Sequence, residues 1–100
     1  QQYSQALIVS PEQLVEDWAV TSLQELKASD LEPIFKLEPE VVLLGTGRRQ
    51  VFPPAELMMN FYNRGIGVEA MSTEAAARTF NVLVSESRNV AAALFPLFNP

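Results

Sequence analysis

The stretch Glu40-Val41-Val42-Leu43-Leu44-Gly45-Thr46-Gly47-Arg48-Arg49-Gln50-Val51-Phe52-Pro53-Pro54 decides the reading of this chain. Val41–Leu44 is apolar at every position. A strand buried on both faces has that signature, and it is typical of a parallel sheet covered by helices on each side. Two glycines stop the strand in a tight loop, two arginines follow, and the proline pair opens a helix predicted through about Asn63. Leu57, Met58, Phe61 and Tyr62 form that helix's apolar stripe, and Arg64-Gly65 is a normal C-terminal signal.

The same strand-and-helix move then repeats. Gly67-Val68-Glu69-Ala70-Met71 reads as a strand. Ser72 caps a helix with Glu74 in its first turn, and Ala76, Ala77, Phe80, Leu83 and Val84 carry helical periodicity through about Glu86. Val90–Phe95 is a last apolar strand ended by Pro96. Residues 41–95 therefore form β-α-β-α-β.

Upstream, Gln5–Val9 reads as a strand ended by Ser10-Pro11. Residues 10–21 carry two signals. Ser10, Pro11 and Gln13 resemble a helix start, whereas Leu14–Thr21 is rich in β-branched and aromatic residues. The second signal favours a turn at 10–13 and a strand around 15–21, antiparallel to 5–9, with Trp18 and Val20 on one face. Ser22 with Glu25, and Ser29 with Glu32, match the capping-box spacing. A short helix at about 29–37 follows, with Pro33 in its first turn, Leu31, Ile34, Phe35 and Leu37 inward, and Pro39 ending it.

One hundred residues with 48% hydrophobic content make one domain with a core of its own. The expected fold is a three-layer α/β domain over 1–100. A mixed central sheet carries helices on both faces, with an additional N-terminal β element at about 5–21. The chain has no cysteine and no histidine. That removes disulfides, thiolate nucleophiles and the commonest general base and metal ligand. No Asp/Glu cluster stands at a ligand spacing, so neither a metal nor a cofactor is expected.

Charge is unevenly placed. Residues 1–44 hold eight acids and two lysines, and residues 45–100 hold four acids and all five arginines. The net charge of −5 argues against nucleic acid as a partner. No apolar run is long enough to span a membrane, and no signal-peptide pattern opens the chain. A cytoplasmic location and no membrane insertion are the expectations.

Together these stretches resemble a known family. They are Leu43-Leu44-Gly45-Thr46-Gly47, Gly67–Thr73, Ala76–Leu83 and Glu86–Leu94, in that order and spacing. The family is the one called domain of unknown function 498, small bacterial and archaeal proteins related to a mitochondrial assembly factor for respiratory complex I. The resemblance implies a three-layer α/β fold with no established enzymatic activity. It also implies a role in binding or assembling proteins. Ser87 stands where such proteins often have glycine, so a positive-φ turn is not expected there. The start is shorter than is common in the family.

Two sets of residues are candidates for function. The first is Gly45, Thr46, Gly47, Arg48 and Arg49 with Ser72 and Thr73. If the two strands are parallel, this loop meets the N-terminus of the next helix, where loop amides and an arginine suit a small anion. The fingerprints of nucleotide sites are absent: Gln50 takes the third glycine position of GxGxxG, and no GK[ST] follows. The simpler reading is a strand-exit turn chosen for close packing. The second set is Arg78, Asn81, Glu86 and Arg88, either a polar patch for a partner or a network satisfying loop groups. No catalytic constellation exists. The favoured function is non-enzymatic protein binding, with Phe52, Phe95 and Phe98 as contact residues and a second copy of the chain as one candidate partner. The alternative is an anion or nucleotide-like ligand binder, or a minor enzyme, at Gly45–Arg49.

Overall fold

In the computed structural model, which describes residues 6–96 apart from 17, 19, 21 and 22 and the side chain of 24, the Val41–Gly45 strand (β3) is flanked by two parallel neighbours. Gly67–Met71 (β4) pairs on one side and Val90–Leu94 (β5) on the other. Leu7–Val9 (β1) pairs antiparallel with β5, and Leu14–Val15 (β2) antiparallel with β1. The mixed five-stranded sheet has the order β2-β1-β5-β3-β4.

This order fixes the layers. The chain steps from β3 outward to β4, then back past β3 to β5. Crossovers between parallel strands are right-handed, so two steps in opposite directions put their helices on opposite faces. Ala55–Tyr62 (α2), with the short Glu32–Phe35 helix (α1), covers one face. Thr73–Ser85 (α3) covers the other.

The larger core joins Ile8, Val42, Leu44, Val68, Ala70, Ala91 and Ala93 of the sheet to Leu31, Ile34, Leu57 and Phe61. The smaller core joins Leu43, Val90 and Ala92 to Ala76, with Phe80, Leu83 and Val84 packed against it. Three successive alanines in β5 suit this arrangement. A strand sandwiched between two helical layers needs small residues wherever helices approach closely, although alanine alone has a weak strand preference.

Of the strand expected around 15–21, Leu14–Val15 is what the described residues place in the sheet. Trp18 and Val20 are buried as the alternation requires, but not by a ladder. The Val20 amide instead donates back to the Trp18 carbonyl at 2.8 Å. The Trp18 indole N–H donates to the Asp30 carbonyl at 2.9 Å, and its ring tilts against Phe95 with centroids 5.7 Å apart. The helix expected at 29–37 divides into a 3-10 turn, Ala28–Leu31, and α1. Its start is capped by Asp30, whose carboxylate accepts the Lys27 amide at 2.9 Å, rather than by the Ser29–Glu32 pair. Ser22, Asp17 and Phe98 lie outside the described residues.

Both long crossover helices end in the same backbone device. After α2, the Ile66 and Gly65 amides donate to the Phe61 and Tyr62 carbonyls, both at 3.0 Å, with Gly65 at φ +74°. After α3, the Arg88 and Ser87 amides donate to the Leu83 and Val84 carbonyls, both at 2.9 Å, with Ser87 at φ +63°. This is the Schellman arrangement, with its left-handed residue. The positive-φ turn is therefore kept without glycine: the paired hydrogen bonds outweigh the Cβ clash of about 1 kcal/mol.

Candidate functional site

The C-terminal ends of β3 and β4 are where an open α/β sheet forms a crevice, because the connections leave toward opposite faces. That condition holds here. The loop after β3 runs to α2 on one face, and β4 runs through Ser72 into α3 on the other.

The crevice is filled by the chain itself. Gly45 lies so close to α3 that a Cβ there would stand 2.9 Å from the Thr73 Cα and 2.9 Å from Leu94 Cδ2. The Thr46 amide donates to the Met71 carbonyl at 2.8 Å, and the Thr73 amide donates to the Gly47 carbonyl at 2.7 Å. Thr73 Oγ1 accepts the Gly47 amide at 2.8 Å while donating to the Phe95 carbonyl at 2.7 Å. Thr46 Oγ1 accepts the Val51 amide at 3.0 Å and lies 2.6 Å from the Arg49 carbonyl, to which it donates. Ser72 caps α3 by accepting the Ala75 amide at 3.2 Å. Gly47 adopts φ +103°, a conformation that suits glycine.

Five of the seven candidate residues are thus brought together, and the amides of Thr46, Gly47 and Thr73 each have a protein acceptor. Of Arg48 and Arg49, only the Arg49 carbonyl joins this knot. Both are exposed and make no ion pair among the described residues. The sequence gives no sign of the role of Gln50. Its side-chain amide donates to the Ala70 carbonyl at 2.9 Å. In β4 the inward groups belong to Gly67 and Met71, whose amide and carbonyl bond the β3 side, so Ala70 faces the free edge. Gln50 therefore caps a carbonyl on an otherwise open edge strand, a protection against sheet-to-sheet pairing.

The second candidate set does not assemble. Arg78, Asn81 and Glu86 are exposed and share no hydrogen bond among the described residues. Arg88 pairs instead with Glu40, Nε to Oε1 at 2.9 Å. The Asn89 amide also donates to Glu40 Oε1 at 3.2 Å, and the Asn89 side-chain amide donates to the Glu38 carbonyl at 2.7 Å. This clasp ties the start of β3 to the start of β5. Hydrogen bonds from Arg88 and Asn89 hold the Glu40 carboxyl below its ordinary value. Its partners are 48 and 49 residues away, so no local signal marks it.

Apolar side chains are exposed elsewhere. Phe52 is 75% exposed, Tyr62 52% and Met59 47%. Phe95, expected at a contact surface, is only 4% exposed and packs on Trp18. No helix among the described residues is long and apolar enough to cross a membrane.

The family described as "Protein of unknown function (DUF498/DUF598)" matches residues 1–95. The chain belongs to this family. It is 37% identical over 90 residues to the "13 kDa major membrane protein" of Francisella tularensis, covering 89% of this chain and 73% of that one. It is 43% identical over 81 residues to a Danio rerio protein named NADH dehydrogenase [ubiquinone] 1 alpha subcomplex assembly factor 3. That match covers 79% of this chain and 47% of the relative, so the chain spans about half of the assembly factor's length. Among solved structures, a Xanthomonas campestris protein matches with a TM-score of 0.86 at 47% identity, covering 93% of this chain and 70% of that one.

Proposed function

We propose that this chain is a non-enzymatic protein-binding domain of assembly-factor type. The observation that carries the reading is the exposure of Phe52, Met59 and Tyr62 along α2 and its approach. Scattered apolar side chains on a surface are ordinary, but four of the six large ones exposed among the described residues, Val51, Phe52, Met59 and Tyr62, fall within a stretch of twelve, and such grouping marks contact sites. Burying what Phe52, Met59 and Tyr62 leave exposed offers about 4 kcal/mol of transfer free energy. Association itself costs at least as much, so these side chains would anchor a larger contact and not carry the affinity alone. The naming of relatives as assembly factors supports the same reading. So does the absence of histidine and cysteine from the chain, which narrows the available acid–base and nucleophilic chemistry.

The test is affinity purification of the tagged chain beside a Phe52→Ala/Met59→Ala variant, with a thermal-shift panel of nucleotides, phosphates and carboxylates. The expected result is a protein held stoichiometrically by the parent and lost by the variant, with no ligand in the panel raising Tm. A ligand-induced rise in Tm that disappears in Arg48→Ala, with no protein retained, would favour the anion-binding alternative at Gly45–Arg49.

A further inference from the structure

We propose that two copies of this chain pair through α3, antiparallel across a two-fold axis at Val82. This surface lies on the other side of the sheet from α2 and does not rest on the reading above. Ala76 of α3 is buried in the smaller core, with Phe80, Leu83 and Val84 half-buried beside it. The opposite side of the helix carries Arg78, Val82 and Glu86, all exposed. They stand at i, i+4 and i+8, and at 100° per residue they fall within roughly 80° of one another. Val82, 53% exposed, is the large apolar side chain at the middle of this face. Ala75, Thr79 and Ser85 flank it and are short, so two helix axes can approach to about 8–10 Å.

Charge selects both the occupant and the sense of pairing. In an antiparallel two-fold contact centred on Val82, a residue a given number of places before it meets the residue as many places after it in the other copy. Arg78 of each copy then meets Glu86 of the other, on either side of a contact between the two valines. A parallel pairing sets arginine against arginine and glutamate against glutamate, which costs affinity. α2 offers no such register, since its one charged side chain is Glu56. Glu86 is also poorly placed without a second copy. It is the C-cap of α3, where the helix dipole is negative, and the last turn of α3 holds no basic residue. Arg88, the next cation along the chain, is tied to Glu40, Nε to Oε1 at 2.9 Å. Arg78 of the second copy supplies the positive charge that the local sequence omits. The net charge of −5 on each copy opposes association only weakly, because exposed charges more than about 8 Å apart are largely screened at physiological salt. Two rim ion pairs around one apolar contact make a weak dimer, with Kd on the order of 0.1–1 mM.

The experiment is sedimentation velocity together with concentration-dependent heteronuclear NMR on the full chain, up to about 1 mM. It compares the parent with Val82→Glu, Arg78→Glu, Glu86→Arg and the doubly reversed Arg78→Glu/Glu86→Arg chain. All three positions are exposed, and circular dichroism verifies that each variant is folded. The parent is expected to dimerise, with the amide shifts that follow concentration confined to residues 75–86. Val82→Glu and each single reversal should weaken pairing by about tenfold or more, because each sets like charges face to face. The double reversal should restore it. An equimolar mixture of the two single reversals should form a mixed dimer that neither forms alone. A parent that stays monomeric, or single reversals that pair as the parent does, would overturn the inference. Shifts confined instead to Gly67–Met71 would place the contact on the β4 edge and overturn it as well.

Discussion

Replacing Gly45 by alanine tests whether the β3–α3 contact is as tight as its geometry implies. The added methyl would sit 2.9 Å from the Thr73 Cα and 2.9 Å from Leu94 Cδ2, with Thr73 Oγ1 at 3.1 Å. Ordinary carbon–carbon contact is about 3.5–4.0 Å, so two neighbours must each retreat by most of an ångström. Leu94 can rotate, but Thr73 offers backbone. Through its amide and its hydroxyl, Thr73 is tied to the β3 loop and to Phe95 by three hydrogen bonds of 2.7–2.8 Å. Overpacking of this kind costs about 1–3 kcal/mol, and stretching one or two of the bonds adds about 1 kcal/mol each. The stiffer unfolded chain returns about 0.4–1 kcal/mol. The net expectation is a loss of about 2–3 kcal/mol, a large share of the roughly 5–15 kcal/mol available to a domain of this size, and a fall in Tm of about 10–20 °C. Urea unfolding followed by far-ultraviolet circular dichroism reads it as a lower midpoint at unchanged slope. Gly67→Ala in the neighbouring strand is the control. Its Cβ would meet only the Glu40 carbonyl, at 3.8 Å, so it should fall within about 0.5 kcal/mol of the parent. Equal behaviour of the two variants would refute the argument.

Ser87→Gly should stabilise the domain by about 0.5 kcal/mol in the same urea assay, because the left-handed strain it relieves exceeds the entropy glycine adds to the unfolded state. Arg88→Ala should raise the Glu40 pKa toward the ordinary 4.5, read by NMR titration of the carboxyl carbon. Because the folded-state value is depressed, the clasp's contribution is present above pH 4.5 and lost as pH falls through the folded pKa, so Glu40→Gln should flatten that part of the stability profile. Gln50→Ala should cost about 1 kcal/mol and raise self-association at high concentration, seen by sedimentation velocity, since it uncaps Ala70 on the β4 edge.

The framework was legible because it rests on local signals. The apolar runs at Val41–Leu44 and Val90–Phe95, the Ser72 cap and the Arg64-Gly65 stop each act within a few residues, and the observed elements begin and end close to them. Residues 14–21 show where that reading ends. Alternation correctly marks Trp18 and Val20 as a buried pair, because period two reports which side chains share a face. It does not report whether a neighbouring strand exists to accept the backbone groups. At Ser87 the familiar glycine signal is missing, yet the turn forms, because two hydrogen bonds, from its own amide and that of Arg88, set the backbone.

The loop after β3 illustrates the harder limit. A glycine pair behind a buried strand has two uses that look alike in sequence: presenting free amides to an anion, or letting two parts of the fold touch. What separates them is where the N–H groups go, and the Gly47 amide goes to Thr73 Oγ1, 26 residues beyond it. A hydroxyl at the first position of α3 accepts the loop amide, donates its own proton to Phe95, and so joins the ends of β3, β4 and β5 in one knot. Arg48 and Arg49, next in the chain, stay exposed and make no ion pair among the described residues.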